Sequence, residues 1–209
     1  MARVRTITTM AELQAALQAA FNAINRDFYN NELEKVIITV KEGKRKGAYG
    51  WIEVAKNWKQ NGTARHEINI SVDFIGERAV AETIGTLMHE MAHLYNLMHG
   101  IKDTTRSGTY HNKHFQATAA SHGLVCWRAD MVGYGMTAPD VETKKWIEDN
   151  IKIKGFNVYK QTAEKAEGER KPKQSYRKYI CPKCGLIVRA TKECNISCLD
   201  CKEQMKIES

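Results

Sequence analysis

Between Thr9 and Tyr29 the apolar residues Leu13, Leu17, Ala20, Phe21, Ile24 and Phe28 recur at every third or fourth position. That period predicts an amphipathic helix. Thr9 stands where an N-cap belongs, with Glu12 three residues on as its capping-box partner. The pattern then changes. Val36-Ile37-Ile38-Thr39-Val40 is rich in β-branched residues and predicts a strand. A polar turn over 41–47 separates it from a second strand at 48–55. A third strand is expected over 66–72, where Ile68 and Ile70 alternate with polar residues.

The strongest helical pattern covers 78–98. Apolar residues occupy much of its circumference, which predicts a buried central helix. Further helices are expected over 111–121 and 142–151. From Lys160 to Lys178 apolar residues nearly vanish and Lys, Arg, Glu and Gln dominate. Such a stretch predicts a flexible basic linker. Residues 179–209 then form a compact cysteine-bearing unit. The expected division is therefore 1–159, 160–178 and 179–209.

Composition narrows the classes. A chain of 209 residues with 43% hydrophobic content can bury one core and carry a small appendage. No apolar run approaches the ~20 residues that span a bilayer, and no secretory pattern opens the chain. A soluble protein of the cytoplasm is expected, or of the nucleus if the source is eukaryotic. The formal charge of +8 favours polyanionic partners such as nucleic acid. Five of the six cysteines fall within the last thirty residues. Without a secretory signal, so tight a cluster reads as metal ligands rather than disulfides. Cys126, beside Trp127, reads as a small core residue.

The first chemical constellation is His89-Glu90-Met91-Ala92-His93. Residues four apart share a helix face, so both imidazoles can bind one Zn²⁺. Glu90 lies beside them and can take a proton from zinc-bound water. Unliganded His and Glu among so many apolar neighbours would be costly to bury. A third protein ligand is required, and spacing leaves three candidates. His99 has the metzincin spacing, with Asn96 where that pattern turns the chain on Gly. His111 and His114 follow in Tyr110-His111-Asn112-Lys113-His114-Phe115.

The second constellation is Cys181-Pro182-Lys183-Cys184-Gly185 with Cys198-Leu199-Asp200-Cys201. Two CxxC knuckles around a short β-prone stretch wrap one tetrahedral Zn²⁺ as a Cys₄ ribbon. A unit this small depends on its metal to fold. Cys194, between the knuckles, reads as a bystander. Tyr49-Gly50-Trp51-Ile52-Glu53 with Trp58 forms an aromatic-bearing strand and loop.

The run from His89 to Asn96, followed by Gly108-Thr109-Tyr110-His111-Asn112-Lys113-His114-Phe115, resembles the SprT-like metallopeptidases of SprT and Spartan type. Their pattern is HExxH, a short polar insertion, then a His-x-x-x-Phe/Trp unit opening the next helix. The resemblance implies that His111 is the third zinc ligand, with Phe115 as the packing aromatic. It also implies an α+β fold, in which a small β-sheet packs on helices around a zincin-type HExxH helix and a zinc ribbon follows. Members of this family often end in such a ribbon, and Spartan-type members are proteases switched on by DNA. The donor of an oxyanion hole stays open among Tyr95, Tyr110, His114 and Tyr134.

The function expected is peptide-bond hydrolysis by a zinc metalloendopeptidase, with Glu90 as general base, acting on DNA-associated proteins. His89, His93 and His111 would hold a catalytic zinc, and Cys181, Cys184, Cys198 and Cys201 a structural one. The partners expected are a protein substrate and DNA, the latter met by the basic linker and the ribbon. The rival is a non-catalytic nucleic-acid-binding protein with two structural zincs.

Overall fold

The computed structural model describes residues 4–43, 47–158 and 176–207. Contacts divide the chain into two compact units, Met1–Gln161 and Thr162–Ser209. The architecture is mixed α+β, with four helices and several small sheets among the described residues. No described helix is long and apolar enough to cross a membrane.

In the first unit, a short strand β1 (Arg5–Ile7) leads into helix α1 (Met10–Phe28). The capping box is present: the Thr9 hydroxyl accepts the Glu12 N–H, and the Glu12 carboxylate accepts the Thr9 N–H, both at 3.2 Å. Leu13, Leu17, Ala20, Phe21 and Ile24 form the buried stripe. Asn30 and Asn31 then turn the chain with φ of 50° and 62°. Asn tolerates this left-handed region better than most residues. The Asn25 side chain pins the turn by bonding both N–H and C=O of Leu33 at 3.0 Å.

Strands β2 (Ile37–Lys41), β3 (Gly50–Gln60) and β4 (Thr63–Ser71) form a sheet in the order β2-β4-β3. β2 is parallel to β4, and β3 is antiparallel to it. Ile38, Ile68 and Ile70 point to the core, where period-2 alternation puts them. β3 runs five residues past the expected end at 55. Trp58 therefore lies in the strand, not in a loop, after a register shift between Glu53 and Trp58. It is 42% exposed and donates its indole N–H to Glu67 at 2.7 Å. Asn61 and Gly62, both with positive φ, close the hairpin.

Helix α2 (Val80–Met98) is the buried centre of this unit. Ile84, Leu87, Met88, Met91, Ala92 and Leu94 are all fully buried. β5 (Thr104–Thr105) and β6 (Tyr110–His111) follow, then α3 (Lys113–Ser121). The helix expected from His111 starts two residues later. Asn112 caps it, accepting the N–H groups of His114 and Phe115, so His111 belongs to β6. A hairpin of β7 (Leu124–Ala129) and β8 (Gly133–Pro139) completes a sheet in the order β5-β6-β8-β7. α4 (Val141–Asn150) and β9 (Ile153–Phe156) close the unit, β9 pairing in parallel with β1. Cys126 packs partly buried against the core, as a small apolar residue would.

The second unit is built on β10 (Arg177–Ile180), β11 (Ile187–Ala190) and β14 (Lys206–Ile207), with a two-stranded pair β12 (Ser197–Cys198) and β13 (Glu203–Gln204). Tyr179, Cys181, Cys198 and Met205 are its buried core. Residues 160–175 of the expected linker lie outside the described residues. Arg177 and Lys178, also expected there, already belong to β10.

Candidate metal centres

Helix α2 puts His89 and His93 one turn apart on one face, with Glu90 beside them. Strand β6 brings in His111. The ring nitrogens of His89, His93 and His111 lie within 4.8 Å of one another. Their Nε2 atoms converge: His111 to His93 at 3.1 Å and His111 to His89 at 3.2 Å. Phe115, fully buried, lies with its ring centroid 4.5–4.6 Å from all three imidazoles. It packs against all three rings at once.

The opposite ring nitrogens fix the tautomers of His93 and His111. His93 Nδ1 donates to Asp103 Oδ2 at 2.6 Å, and His111 Nδ1 donates to the Val132 carbonyl at 3.2 Å. Those oxygens only accept. His89 Nδ1 bonds the Thr137 hydroxyl at 2.9 Å. His93 and His111 thus carry their protons on the outside and turn lone pairs inward, and the Thr137 hydroxyl can accept from His89 in the same arrangement. Burial holds His89 well below the ordinary histidine range and His111 down at about 4, with the neighbouring histidines adding to both shifts. Neutral rings are what a metal binds.

Three inward lone pairs at this separation repel one another unless a cation lies between them. A tetrahedral divalent ion at roughly 2.0–2.1 Å from each nitrogen needs a spacing of about 3.3 Å. The donor set and its spacing fit such an ion.

Asp103 is itself held. Its Oδ2 also accepts Asn96 Nδ2 at 3.0 Å, and Asn96 Oδ1 accepts the Thr118 hydroxyl at 2.7 Å. Asn112 clamps the surrounding loop through the Lys102 and Asp103 carbonyls. Burial acts to raise the Asp103 carboxyl, but the hydrogen bond from His93 and its neighbours carry it below the usual range. Two glycines admit the β8 end. A Cβ at Gly135 would lie 2.5 Å from His111 Nδ1, and one at Gly133 would lie 2.1 Å from the His111 carbonyl oxygen.

Glu90 is 5% exposed. Burial raises its carboxyl to about 7, against the lowering effect of His93 and of the Ile52 N–H that it accepts from β3. Gly50 makes room for it, since a Cβ there would lie 3.3 Å from Glu90 Oε1 and 2.9 Å from the Asn69 carbonyl.

His99 stands apart. α2 continues through Asn96 without turning, so His99 caps the helix. Its two nitrogens bond the Tyr95 carbonyl and Glu32 Oε1, each at 2.8 Å. His114 is exposed on α3 and is not in the cluster. Tyr95 packs among the rings of Tyr29, His99 and His122, and Tyr110 lies under the Arg106 guanidinium.

A sequence model of the SprT-like family matches residues 17–129, just over half of the chain, from within α1 to the end of β7. The chain belongs to the SprT-like family. Searches of curated proteins and of solved structures find no match to it. The SprT-like segment contains His89, Glu90, His93, Asp103 and His111. Thr137 on β8 and Val132 in the turn before it lie beyond that segment, and neither they nor Asp103 carry a motif that marks them in the sequence. An aspartate or threonine that grips a ligand's far nitrogen leaves no fixed spacing to search for.

In the second unit, the sulfurs of Cys181, Cys184, Cys198 and Cys201 lie within 4.8 Å of one another, the Cys184 and Cys198 sulfurs 3.7 Å apart. This cluster fits a zinc ribbon. The Cys184 backbone N–H pulls the Cys181 thiol down to about 7, while hydrogen bonding with Cys184 pushes Cys201 up to about 12. Four thiolates need a cation to share so small a space. Cys194 stays outside the cluster. Its N–H bonds the Tyr179 hydroxyl at 3.0 Å and its sulfur meets the Lys192 carbonyl.

Proposed function

We propose that the chain is a zinc-dependent endopeptidase of proteins bound to DNA, with one catalytic zinc at His89, His93 and His111 and one structural zinc in the cysteine cluster. The observation that carries the reading is the buried Glu90 carboxylate beside three converging Nε2 atoms. A zinc ion held there would polarise a peptide carbonyl and supply water that ionises near neutral pH. Glu90 takes the water's proton at a carboxylate oxygen and passes it to the leaving amine nitrogen. The Ile52 N–H orients that carboxylate. β3 is an edge strand of its sheet and offers an extended peptide a backbone to pair with.

Contact with nucleic acid is supported by the register of the second unit. Lys178 faces Arg189 across β10 and β11, and Ile180 faces Lys206 across β10 and β14. Lys178, Arg189 and Lys206 therefore share one sheet face, which suits phosphate contacts without base readout. The basic residues from Lys160 to Lys173 precede β10 in sequence.

The rival reading, two structural zincs in a binding module, gives Glu90 no task. A purely structural site gains nothing from a carboxylate kept dry beside its ligands. The deciding experiment compares wild type with Glu90→Gln on a DNA-crosslinked protein and on casein, with and without chelator and single-stranded DNA. Turnover should fall roughly 10²–10⁴-fold in the variant while zinc content stays the same. Retained cleavage would refute the mechanism.

A further inference from the structure

Ala81, Gly85 and His89 recur every fourth residue and form one stripe along α2. β8 runs against this stripe. Thr137 meets His89, and Pro139 meets Gly85 so closely that a Cβ there would lie 2.7 Å from the proline ring. One turn before His89, between this stripe, the end of β8 and the start of α4, lies a cavity of about 150 Å³. Arg78, Ala81, Glu82, Thr137, Ala138, Pro139 and Lys144 line it.

The cations in this cavity, Arg78 and Lys144, have no carboxylate within ion-pair distance among the described residues. Arg78 is braced by Thr86 Oγ1 at 2.9 Å, by the Glu82 carbonyl at 3.3 Å and by the face of Tyr49 at 4.0 Å, all of them neutral. Glu82 is the one acid in the lining, and its Oε2 is engaged with the Ala79 N–H at 2.8 Å. With a metal on His89 Nε2, Nδ1 carries the ring proton and Thr137 Oγ1, 2.9 Å away, accepts it, which leaves the Thr137 hydroxyl hydrogen free to donate.

We propose that this cavity receives the carboxylate of an aspartate or glutamate side chain of the peptide substrate. The inference rests on the peptidase reading above. Arg78 and Lys144 supply the charge and Thr137 the third donor, in charge-assisted hydrogen bonds. Ala81, Ala138 and Pro139 pack the methylene stem that carries the carboxylate. A phosphodiester has no such stem, and the volume suits one side chain rather than a length of nucleic-acid backbone. A carboxylate bonded to Thr137 also reaches His89 through one hydroxyl, so the site reads the substrate's charge beside the metal centre.

The test uses matched peptides in which Glu and Gln are exchanged at each position around the scissile bond. Binding is measured on the full-length, zinc-loaded Glu90→Gln protein, and kcat/KM on wild type. At one position the Glu peptide should bind and react about tenfold or more better than its Gln counterpart, a gain set by charge-assisted bonds. Lys144→Gln, on the exposed side of α4, should shrink that preference. Arg78→Gln with Lys144→Gln should abolish it, the Gln peptide serving as each variant's own reference. Equal treatment of Glu and Gln at every position, or a preference that survives in the double variant, overturns the proposal. So does displacement of the Glu peptide by single-stranded DNA through Arg78 and Lys144, which would assign the cavity to phosphate. If Glu-selective binding depends on both cations but wild type cleaves neither peptide, the carboxylate site stands and the peptidase reading falls.

Discussion

Asp103 Oδ2 and His93 Nδ1 lie 2.6 Å apart, and the same oxygen accepts the buried Asn96 amide. The pair joins the loop after α2 to a side chain aimed at the metal centre. Asp103→Ala should therefore leave the fold in place but loosen His93. Metal affinity should fall by roughly 10–100-fold, the usual cost of losing such a partner. Competition with a chromophoric chelator measures this without any turnover assay, and unchanged affinity would show that Asp103 is only a loop anchor.

Gly135→Ala tests how β8 holds His111. The new Cβ would lie 2.5 Å from His111 Nδ1, inside any real contact distance. The imidazole must swing away or β8 must retreat. Zinc in the histidine site should weaken by at least ~10-fold while zinc in the cysteine cluster is retained. Metal analysis after dialysis against a mild chelator separates the two.

Zinc content should be two per chain in wild type, one in His111→Ala and one in Cys198→Ser, whichever site is lost. His99→Ala should keep both, because His99 is committed to Glu32 and the Tyr95 carbonyl. Loss of a zinc in His99→Ala would place the third ligand there instead.

Glu67 gives a pH dependence. Burial raises its carboxyl, but hydrogen bonds from Lys41, Thr39 and Trp58 outweigh burial and leave it below the usual glutamate range. A carboxylate whose folded pKa is depressed stabilises the fold above its unfolded value and loses that contribution as pH falls through the folded one. Glu67→Gln should cost on the order of 1–3 kcal/mol near neutral pH, the scale for a broken buried hydrogen-bonded charge. The gap in thermal midpoint between variant and wild type should close on acidification below about pH 4.5. A gap independent of pH would mean that shape, not charge, matters at this position.

Single-stranded DNA binding should be sequence-tolerant and should weaken by ~10-fold or more between about 50 and 200 mM salt. Truncation after Tyr159 should abolish it and leave the histidine-site zinc bound. Equal DNA affinity with and without residues 160–209 would move the contact to the first unit.

The helices and the chemical groups were legible because they obey local rules. α1 and α2 follow a 3.6-residue period, Thr9 and Glu12 cap by contact over three residues, and HExxH and CxxC place ligands on a single turn or knuckle. These interactions close within a few positions, so spacing alone reveals them. The β7–β8 hairpin was not legible. Val125, Trp127 and Met136 lie exposed on it, and glycines interrupt β8, so no apolar alternation marks it. The choice among His99, His111 and His114 was also closed to spacing. It depended on α2 running straight through Asn96, which carries His99 past the site, and on β8 approaching β6 over two glycines, which holds His111 in it. Asp103 and Val132 fix which nitrogen of His93 and His111 carries the proton, and Thr137 bonds the far nitrogen of His89. They act across up to 48 positions of sequence, and only the packed fold brings them within a hydrogen bond.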